Sequence, residues 1–586
     1  MKKTICFLLT VFVLLAAIPT VGLAEGTTDA EQAAAGKVCR IGEVYYDTLR
    51  AALEAVGDGE TITLIGDVEQ RNNFVKENTS TSVVAPGITF TLNGNGYTIT
   101  RPTETSGALF GDVSSNFIFE NCKFDLKGDW GGGQMFRAIK PTGETLSITV
   151  KDSEINLNNS FAGEDIDEGK KLELLIVNST INQSNLRENG FFNGSGGNIR
   201  RGQTITMTLD HATVNLGVGK LWAMNGARGN LILKNDSHLN ILGGFTPITC
   251  WGDANEKNGQ TIELYRSEIY MSDKSESRGK SYSALLNWTG GMMNLKLDGQ
   301  SAIRTDRTQP DTGAVKGVSL VRVNTNTNLT VELEKGAVIE MTDLGVKDKS
   351  GLVGYEGAEG AGTVNLIDKG AEWRFGKDLL KCGVKLNALC ASQIGWTNGA
   401  KLYAPDTVVS DAEATETAVF SVVTLAPEDF DMVSGAATRT ENPYGLRFTA
   451  RVSAAFCNRL SEIGATFETG FVIAETGKVI GNFNLSGMAA FDYDSYKVNL
   501  GTEETDGDYL FRKAIYGFSD EKESLTKEYS AMAYLKIMFA DGTSRTIYSA
   551  YHAENHARSV YGVAKRAVEA GITGELLGHI VSVAES

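Results

Sequence analysis

A repeated motif is the feature of this 586-residue chain that most restricts its fold. An alternating apolar strand, a polar residue and a second short strand recur as "FIFENCKFDL", "SITVKDSEINL", "LLIVNSTINQ", "TMTLDHATVNL", "LILKNDSHLNI", "IELYRSEIYM", "LKLDGQSAIRT" and "TVELEKGAVIEM". The apolar anchors of the second strands lie 25 to 35 residues apart: Phe124, Ile155, Ile181, Val214, Leu239, Ile269, Ile303 and Val338. Such self-similarity is typical of stacked repeat architectures. We therefore expect a constant strand pair in each coil, with loops of variable length inserted at a single corner.

The residue between the two strands stands where the chain must bend sharply without forming a hairpin. It is Asn or Asp in six repeats: Asn121, Asp152, Asn178, Asp210, Asn235 and Asp298. Asn and Asp enter the left-handed αL region readily because their short polar side chains hydrogen-bond locally. We expect these corners to stack into a ladder of side-chain hydrogen bonds that is interrupted at Arg266 and Lys335. The alternative, an array of hairpins, needs turns such as Asn-Gly at most corners, and these are largely missing.

Residues 37–70 have the pattern of a cap over the first coil. The segment "EVYYDTLRAALEAVGDGETITLIGDV" predicts an amphipathic helix with Leu49, Leu53 and Val56 on one face, followed by a turn and a strand from Thr61 to Ile65. A helix placed here would cover the apolar interior and the strand edge that an unpaired first coil exposes.

The cap, the string "TFTLNGNGYTIT" in the first full coil and the run of Asn- and Ser-containing turns resemble the pectate-lyase-like superfamily of right-handed β-helices. The resemblance covers roughly residues 37 to 400. It implies a mostly β protein with a right-handed single-stranded parallel β-helix over residues 71–404, behind the N-terminal helix cap. The superfamily includes pectate lyases, polygalacturonases, pectin methylesterases, phage depolymerases and non-enzymatic surface proteins, so the fold alone does not select an activity.

The catalytic motifs of those enzymes have no counterpart in this chain. Neither the paired Asp with Gly-His-Gly of polygalacturonases nor the Arg-x-Pro-x-x-Arg of pectate lyases is present. His211 and His238, the histidines of the repeat region, lie beside corners and are interpreted as hydrogen-bonded structural residues or as solvent-facing. The run "EDIDEG" from Glu164 to Gly169 could offer hard oxygen ligands to Ca²⁺, but a solvated acidic loop explains it better. No other metal or cofactor site is expected.

A third strand, which precedes each repeated pair, suggests a ligand-binding surface. Its versions "ALFGD", "MFRAI", "FFNGS", "LWAMN", "ITCWG" and "LLNWT" place six rings near one column: Phe110, Phe136, Phe192, Trp222, Trp251 and Trp288. If Leu109, Met135, Leu221 and Ile248 point inward, strand alternation turns these rings outward. Interleaved polar residues would complete a sugar-binding groove: Asp112, Arg137, Asn193, Asn225 and Asp253. The alternative is that long insertions fold over the rings and bury them in a satellite core.

The sequence pattern changes after the repeats. Residues 405–425 include the acidic string "DAEATETA", which predicts a linker, and residues 426–586 contain antiparallel-type strands such as "YGLRFTARV" and "TFETGFVIA". The string "HARSVYGVAKRAVEAG" then predicts a helix, so we expect an antiparallel β-sandwich with a terminal helix. The strings "GLRF" and "YSAYHAENHARSVYGVA" resemble a C-terminal module of exported proteins from anaerobic Gram-positive bacteria. His552 and His556 lack the order and the third ligand of a zinc site.

The N-terminus predicts export. Lys2 and Lys3 precede an apolar run from Ile5 to Ile18 and a small-residue exit, which is the pattern of a cleavable signal over residues 1–24. No other run approaches the length that a membrane span needs. The formal net charge of −17 argues against nucleic acid as a partner. Six of the seven cysteines follow the signal and are scattered singly, and we interpret most of them as buried apolar residues, although Cys382 and Cys390 are close enough to pair.

These observations leave two hypotheses, both for a secreted, extracellular monomer whose partner is a polysaccharide or other glycan. One is a glycan-binding or adhesin-like surface protein that uses the repeat region as a rigid rod. The other is a polysaccharide lyase or glycoside hydrolase acting on an acidic polysaccharide such as pectin, for which Arg137, Asp112 and Asp253 are the first catalytic candidates. The lack of an assembled acid, base and nucleophile favours binding.

Overall fold

A computed structural model describes residues 35–128, 133–163, 166–184, 190–193, 199–200, 202–217, 220–243, 247–251, 259–272, 285–288, 291–306, 319–323, 327–342, 351–355, 362–439, 443–479, 483–491, 493–501 and 507–586. The chain is mostly β. Up to residue 424 it passes repeatedly through three long sheets, here called sheets 1, 2 and 3.

Sheet 1 has 13 strands, in the order Val44–Tyr46, Cys39–Ile41, Thr61–Leu64, Thr89–Asn93, Asn116–Glu120, Thr145–Lys151, Lys171–Val177, Thr204–Asp210, Arg228–Lys234, Gly259–Tyr265, Gly291–Leu297, Thr327–Leu333 and Thr363–Asp368. Sheet 2 has 14 strands, in the order Val68–Glu69, Thr98–Arg101, Lys123–Leu126, Glu154–Leu157, Thr180–Gln183, Thr213–Leu216, His238–Ile241, Glu268–Met271, Ala302–Thr305, Val338–Met341, Glu372–Phe375, Ala418–Thr424, Gln393–Thr397 and Leu402–Tyr403. Sheet 3 has 8 strands, in the order Ile199–Arg200, Trp222–Asn225, Ile248–Trp251, Leu286–Trp288, Ser319–Val323, Gly351–Tyr355, Val384–Leu386 and Thr407–Val409, and a separate parallel pair joins Phe110–Val113 to Phe136–Ile139.

One passage through the three sheets makes a coil, for example Trp222–Asn225, then Arg228–Lys234, then His238–Ile241. Equivalent strands of successive coils pair in parallel and in register, so that Ile181 lies between Ile155 and Val214. This topology is compatible with a parallel β-helix. The register confirms the repeated anchors as far as Ile303, but the next equivalent residue is Ile339 rather than Val338. The two corners have the same length, and Val338 pairs with Ala302, the first residue of its strand.

Alternation within each strand explains the single core of this region. The strand Glu154–Leu157 buries Ile155 and Leu157, and the strand Thr180–Gln183 repeats the pattern. The corner between sheet 1 and sheet 2 spans only two to four residues in every described coil from Glu120 onward. The connections whose length varies are those from sheet 2 to sheet 3 and from sheet 3 to sheet 1. Two corners are therefore variable, whereas the sequence predicted one.

The N-terminal cap forms as expected. Helix Leu49–Ala55 begins at Thr48, whose Oγ1 accepts the N–H of Ala51 at 3.1 Å, and it buries Leu49, Ala52 and Leu53. The strands Cys39–Ile41 and Val44–Tyr46 pair antiparallel at the edge of sheet 1. They separate the first parallel strand from solvent.

The segment 405–425 is not a free linker. Strand Ala418–Thr424 pairs antiparallel with Glu372–Phe375 and with Gln393–Thr397, and Thr407–Val409 pairs with Val384–Leu386. The physical reason is that the last parallel coil leaves a strand edge open, which these residues occupy. Helix Lys377–Cys382 lies within the same end of the molecule.

The C-terminal residues form two antiparallel sheets around a common apolar core that includes Phe448, Phe471 and Leu535. One sheet contains Phe430–Met432, Gly445–Ser453, Ala437–Thr438 and Asp508–Tyr516, and the other contains Asp494–Val498, Thr466–Glu475, Tyr529–Met538, Ser544–Tyr548 and Ala557–Arg558. The α-helices are Ala454–Glu462, Met488–Phe491, Lys522–Thr526, Ala553–His556, Val560–Glu569 and Glu575–Glu585, and the 3₁₀ turns are Pro427–Asp429, Thr476–Lys478 and Leu485–Gly487. Two terminal helices follow the sheets, where the sequence indicated one.

The six cysteines of the described chain are all free, including Cys382 and Cys390. Cys39, Cys122, Cys250 and Cys457 are buried, as expected for small apolar residues. Burial raises the pKa of the Cys39 and Cys122 thiols to about 12. These thiols are therefore poor nucleophiles at neutral pH.

Candidate functional site

The aromatic column exists, but its described rings point into the core. Phe110, Phe136 and Trp222 are 0 % exposed and Phe192 is 1 % exposed. Phe110 and Phe136 stack at 5.4 Å between ring centroids, and both pack against Phe117 of sheet 1. The expectation of an exposed ring surface is therefore wrong for these four residues, and they belong to the main core rather than to a satellite core.

Strand alternation does not turn Phe110 toward solvent, because the strand Phe110–Val113 is buried on both faces. Its outer face is covered by the chain near Ser80, because a Cβ on Gly111 would lie 2.1 Å from the Ser80 carbonyl oxygen. Asn193 and Asn225 are half-buried near this column. Trp251 and Trp288 are strand residues whose side chains lie outside the described part of the structure, as does Asp253 altogether. The acidic run 164–169 is described only from Ile166 onward.

Two of the proposed catalytic residues, Asp112 and Arg137, form an ion cluster. The Asp112 carboxylate, 7 % exposed, accepts Arg137 Nη1 at 2.6 Å, Lys140 Nζ at 2.8 Å and the Ser80 hydroxyl at 3.0 Å. Burial alone would raise the pKa of Asp112, but the hydrogen bonds from Lys140 and Ser80 and the two positive charges outweigh burial and lower it. Asp112 therefore stays ionised and neutralised, which suits a structural cluster better than a general acid.

Arg137 does not have the chemistry of the base for which it was a candidate. A guanidinium keeps its proton at any ordinary pH, and this one is paired with Asp112. The arrangement holds neighbouring strands of the two-stranded sheet together, because Asp112 lies on Phe110–Val113 and Arg137 on Phe136–Ile139. We find no catalytic pair in these two residues.

A polar groove follows the corner between sheets 1 and 2. It has a volume of about 900 Å³ and is lined by Asn93, Asn95, Gly96, Asn121, Cys122, Lys123, Asp152, Ser153, Glu154, Asn178, Ser179, Thr180, His211 and Thr213. These residues come from five consecutive coils. Strand spacing of about 4.8 Å makes the groove roughly 19 Å long.

The floor of the groove is fixed by residues in the αL conformation. Asn121, Asp152 and Asn178 have φ between 46° and 49°, as the sequence indicated. In the next coil the αL residue is His211 with φ 52°, not Asp210, which ends its strand. Asp298 is also not αL, whereas Arg266 is, with φ 49°. The ladder therefore continues through Arg266, whose Nε donates to Asp236 Oδ1 at 3.1 Å and whose N–H donates to Asp298 Oδ2 at 2.9 Å.

A buried serine follows most corners and satisfies the backbone there. Ser153 Oγ accepts the N–H of Cys122 at 2.9 Å, and Ser179 Oγ accepts that of Ser153 at 3.0 Å. The same contact recurs from Ser237 to Ser267 and from Ser267 to Ser301. These hydroxyls hold the corners at a constant height, so the groove is rigid.

Several groove side chains are available to a ligand. The exposed Asn121 amide and Lys123 ammonium make no hydrogen bond or ion pair with described residues. Asp152 Oδ1 accepts Asn178 Nδ2 at 2.5 Å, and its Oδ2 lies 3.8 Å from Lys151 Nζ. Glu154 Oε1 accepts Asn156 Nδ2 at 3.1 Å, which leaves this carboxylate a second oxygen. His211 Nδ1 lies 3.2 Å from the Asn235 carbonyl oxygen.

An asparagine ladder borders the groove on the outer face of sheet 2. Asn182 donates to Asn156 at 2.8 Å, Asn215 to Asn182 at 2.7 Å, and Asn240 to Asn215 at 2.8 Å. Each amide uses one N–H in this way, and each carries two N–H donors. The ladder thus presents a row of donors and acceptors at the coil spacing. The signal in the sequence is the Asn at the third position of the strings "EINL", "TINQ", "TVNL" and "HLNI", next to the corner residues on which the prediction of a ladder depended.

The described histidines and acidic residues form no metal centre. His556 is buried, and its Nδ1 accepts the His552 N–H at 3.1 Å, so the two rings do not form a ligand pair on one helix face. Within the described ranges, no group of three or more His, Cys, Asp or Glu side chains is placed to hold a metal ion. His211 and His238 are exposed, as their position in the sequence indicated.

Comparison of the chain with protein-family models, with curated protein sequences and with solved structures finds no match. Among the helices of the described residues, none is long and apolar enough to cross a membrane.

Proposed function

We propose that this protein is a secreted glycan-binding, adhesin-like protein whose repeat region is a right-handed parallel β-helix of the pectate-lyase-like superfamily. The observation that carries the proposal is the rigid polar groove from Asn93 to Thr213. The groove takes the place of the aromatic column as the proposed binding surface, because the described rings of that column are buried.

The groove suits sugar hydroxyls because each hydroxyl both donates and accepts hydrogen bonds. Asn side chains supply both functions, and carboxylates accept from hydroxyl groups. Asn121, Asp152 and Asn178 present such groups one coil apart, at a spacing set by the strands. An extended polymer with regularly repeated hydroxyls therefore matches the array, whereas a compact small molecule would use only part of it.

The charge of the groove favours a neutral glycan over an acidic one. It contains the carboxylates of Asp152 and Glu154 but one ammonium, that of Lys123. The whole chain also carries a formal net charge of −17. A uronate polymer would meet repulsion from both sources. Lys2 and Lys3 before the apolar N-terminal run support the extracellular setting in which such a partner occurs.

The test is a glycan array probed with the purified protein, followed by binding titrations of every hit. Asn121→Gly removes the free amide and keeps the αL backbone, which glycine adopts without strain. We expect it to weaken binding about tenfold, as the loss of one to two good hydrogen bonds would. Asn365→Ala removes an exposed amide from sheet 1 outside the groove and should bind like the unaltered protein.

Depolymerase activity is measured on the same hits, by the absorbance of unsaturated uronides and by reducing ends. Binding without either product supports the adhesin-like function. Product formation that Glu154→Gln abolishes would instead establish the lyase or hydrolase alternative at this groove. Binding that is equal in Asn121→Gly and in the unaltered protein would contradict the proposed site.

A further inference from the structure

A second cavity lies in the C-terminal module, far along the chain from the polar groove. It has a volume of about 420 Å³ and is bordered by strand Ala437–Thr438, by helix Val560–Glu569 and by residues on both sides of the following turn. Its walls are mainly apolar: Ala436, Ala437, Val563, Ala567, Ile572 and Leu577. The size is that of a site for a small organic ligand.

Two guanidinium groups line this apolar cavity, those of Arg558 and Arg566. Arg558 is 7 % exposed, and its Nη1 donates to the carbonyl oxygens of Glu554 at 2.8 Å and Ala557 at 2.7 Å. Its Nε is buried and has no hydrogen-bond partner among the described residues. A buried polar atom without a partner is rare in folded proteins and calls for a missing acceptor.

Neither guanidinium has an ion-pair partner among the described carboxylates. Burial and the positive charge of Arg566 lower the pKa of Arg558, and the negative charge of Glu528 opposes them only in part. Burying a charge that has no ion-pair partner is unfavourable, so an anion from outside would stabilise this arrangement.

We infer that the cavity binds a small amphipathic carboxylate, with its carboxylate on Arg558 and Arg566 and its hydrocarbon part against Ala437, Val563 and Ala567. A guanidinium donates in a planar fork that matches a carboxylate. The apolar walls disfavour a fully hydrated inorganic anion, and the two cations disfavour an amine. Ile572, which is 56 % exposed at the rim, gives the hydrocarbon chain further apolar contact.

A purely structural role for Arg558 is the competing explanation. Its two bonds to carbonyl oxygens do tether the short helix Ala553–His556 to the strand Ala557–Arg558. Both bonds use Nη1, however, and leave Nε without an acceptor. Arg566 is exposed on its helix and contributes nothing to that tether. The structural role therefore does not explain why a second cation faces the same cavity.

The test is isothermal titration calorimetry of the purified protein with sodium decanoate below its micelle concentration. Decanol and decyltrimethylammonium are the uncharged and cationic comparisons. We expect decanoate to bind and both comparisons to bind at least about tenfold more weakly. Equal affinity for decanol would overturn the assignment, since the arginines would then contribute nothing to binding.

Variants separate the cavity from the rest of the module. Arg566→Gln removes the exposed cation and should weaken decanoate binding about tenfold, and Ala567→Phe should block binding by filling the cavity. Lys522→Gln removes an exposed charge from a neighbouring helix and should leave the affinity unchanged. Unchanged affinity in both Arg566→Gln and Ala567→Phe would refute the proposal even if Arg558→Gln fails to fold. None of these results depends on the polar groove.

Discussion

Asn178 Nδ2 donates a hydrogen bond to Asp152 Oδ1 across 2.5 Å, from one coil to the preceding one, while both residues hold φ between 46° and 49°. The two side chains thus stabilise the same backbone conformation that brings them together. This relationship links the local preference of Asn and Asp for the αL region to the stacking of whole coils, because the side chains that favour the bend also join adjacent coils.

Replacing Asn178 by Ala should lower stability by about 1–2 kcal/mol, because Ala loses the bond to Asp152 and is strained at positive φ. Asn178→Gly loses only the bond and should be less destabilised. The measurement is the midpoint of the urea transition of the repeat region. If Ala were tolerated as well as Gly, the αL corner would not be a determinant of stability.

Replacing one of the buried corner serines should lower the free energy of unfolding by more than the small size of the side chain suggests. Ser267→Ala leaves the Ser237 N–H without its acceptor and the Tyr265 carbonyl without its donor, which we expect to cost about 1–3 kcal/mol. Ala already occupies the equivalent positions 212 and 337, so the substitution creates no clash. Thermal unfolding measures the effect, and Ser434→Ala, at an exposed turn, is the control.

Acid should lower the free energy of unfolding, in part because the Asp112 carboxylate becomes protonated. Because the pKa of its carboxyl is lowered in the folded state, its contribution is fully present above the unfolded value of about 3.9 and is lost as pH falls through the lower folded pKa. Asp112→Asn should therefore lower stability by about 1–3 kcal/mol at pH 7 and flatten its decline below pH 4. Unfolding midpoints between pH 2 and 7 test this. An unchanged acid limb in Asp112→Asn would show that other carboxyls determine the decline.

The buried ring at position 136 should matter for folding and not for recognition. Phe136→Ala opens a cavity in the stack with Phe110 and should cost about 3–5 kcal/mol. Phe136→Leu keeps most of the volume and should cost clearly less. Where the protein still folds, glycan binding at the polar groove should remain. A stable Phe136→Ala protein that had lost glycan binding would contradict the separation of the buried rings from the binding site.

The stacking of coils could be predicted from sequence because the strands of sheets 1 and 2 are half-buried. Strict alternation, as in Thr204–Asp210, tells which residues face the core. The strand Phe110–Val113 carries no such signal, since all four of its residues are buried. The orientation of Phe110 then depends on a distant segment near Ser80, which no local pattern reveals.

The sequence also does not determine which residue of a corner adopts the αL conformation. Asp210 and His211 are adjacent, and both residue types tolerate the αL region. The pairing of Asp210 with Val177 and with Lys234 shows that Asp210 still belongs to its strand and that His211 makes the bend. The sequence does not reveal the polar groove for a related reason. The residues that line it are scattered over five repeats, and only stacking brings them into one row.

Strand Ala418–Thr424 runs opposite to Glu372–Phe375 at the end of the parallel series. Strands Gln393–Thr397 and Leu402–Tyr403 continue the antiparallel pairing beyond it, so the edge strand of sheet 2 has the opposite polarity to the parallel coils. A coil from a second molecule could not extend the parallel series at that edge. At the opposite end of sheet 1, two successive antiparallel pairings return the edge strand Val44–Tyr46 to the polarity of the coils, so polarity closes the stack at one end only.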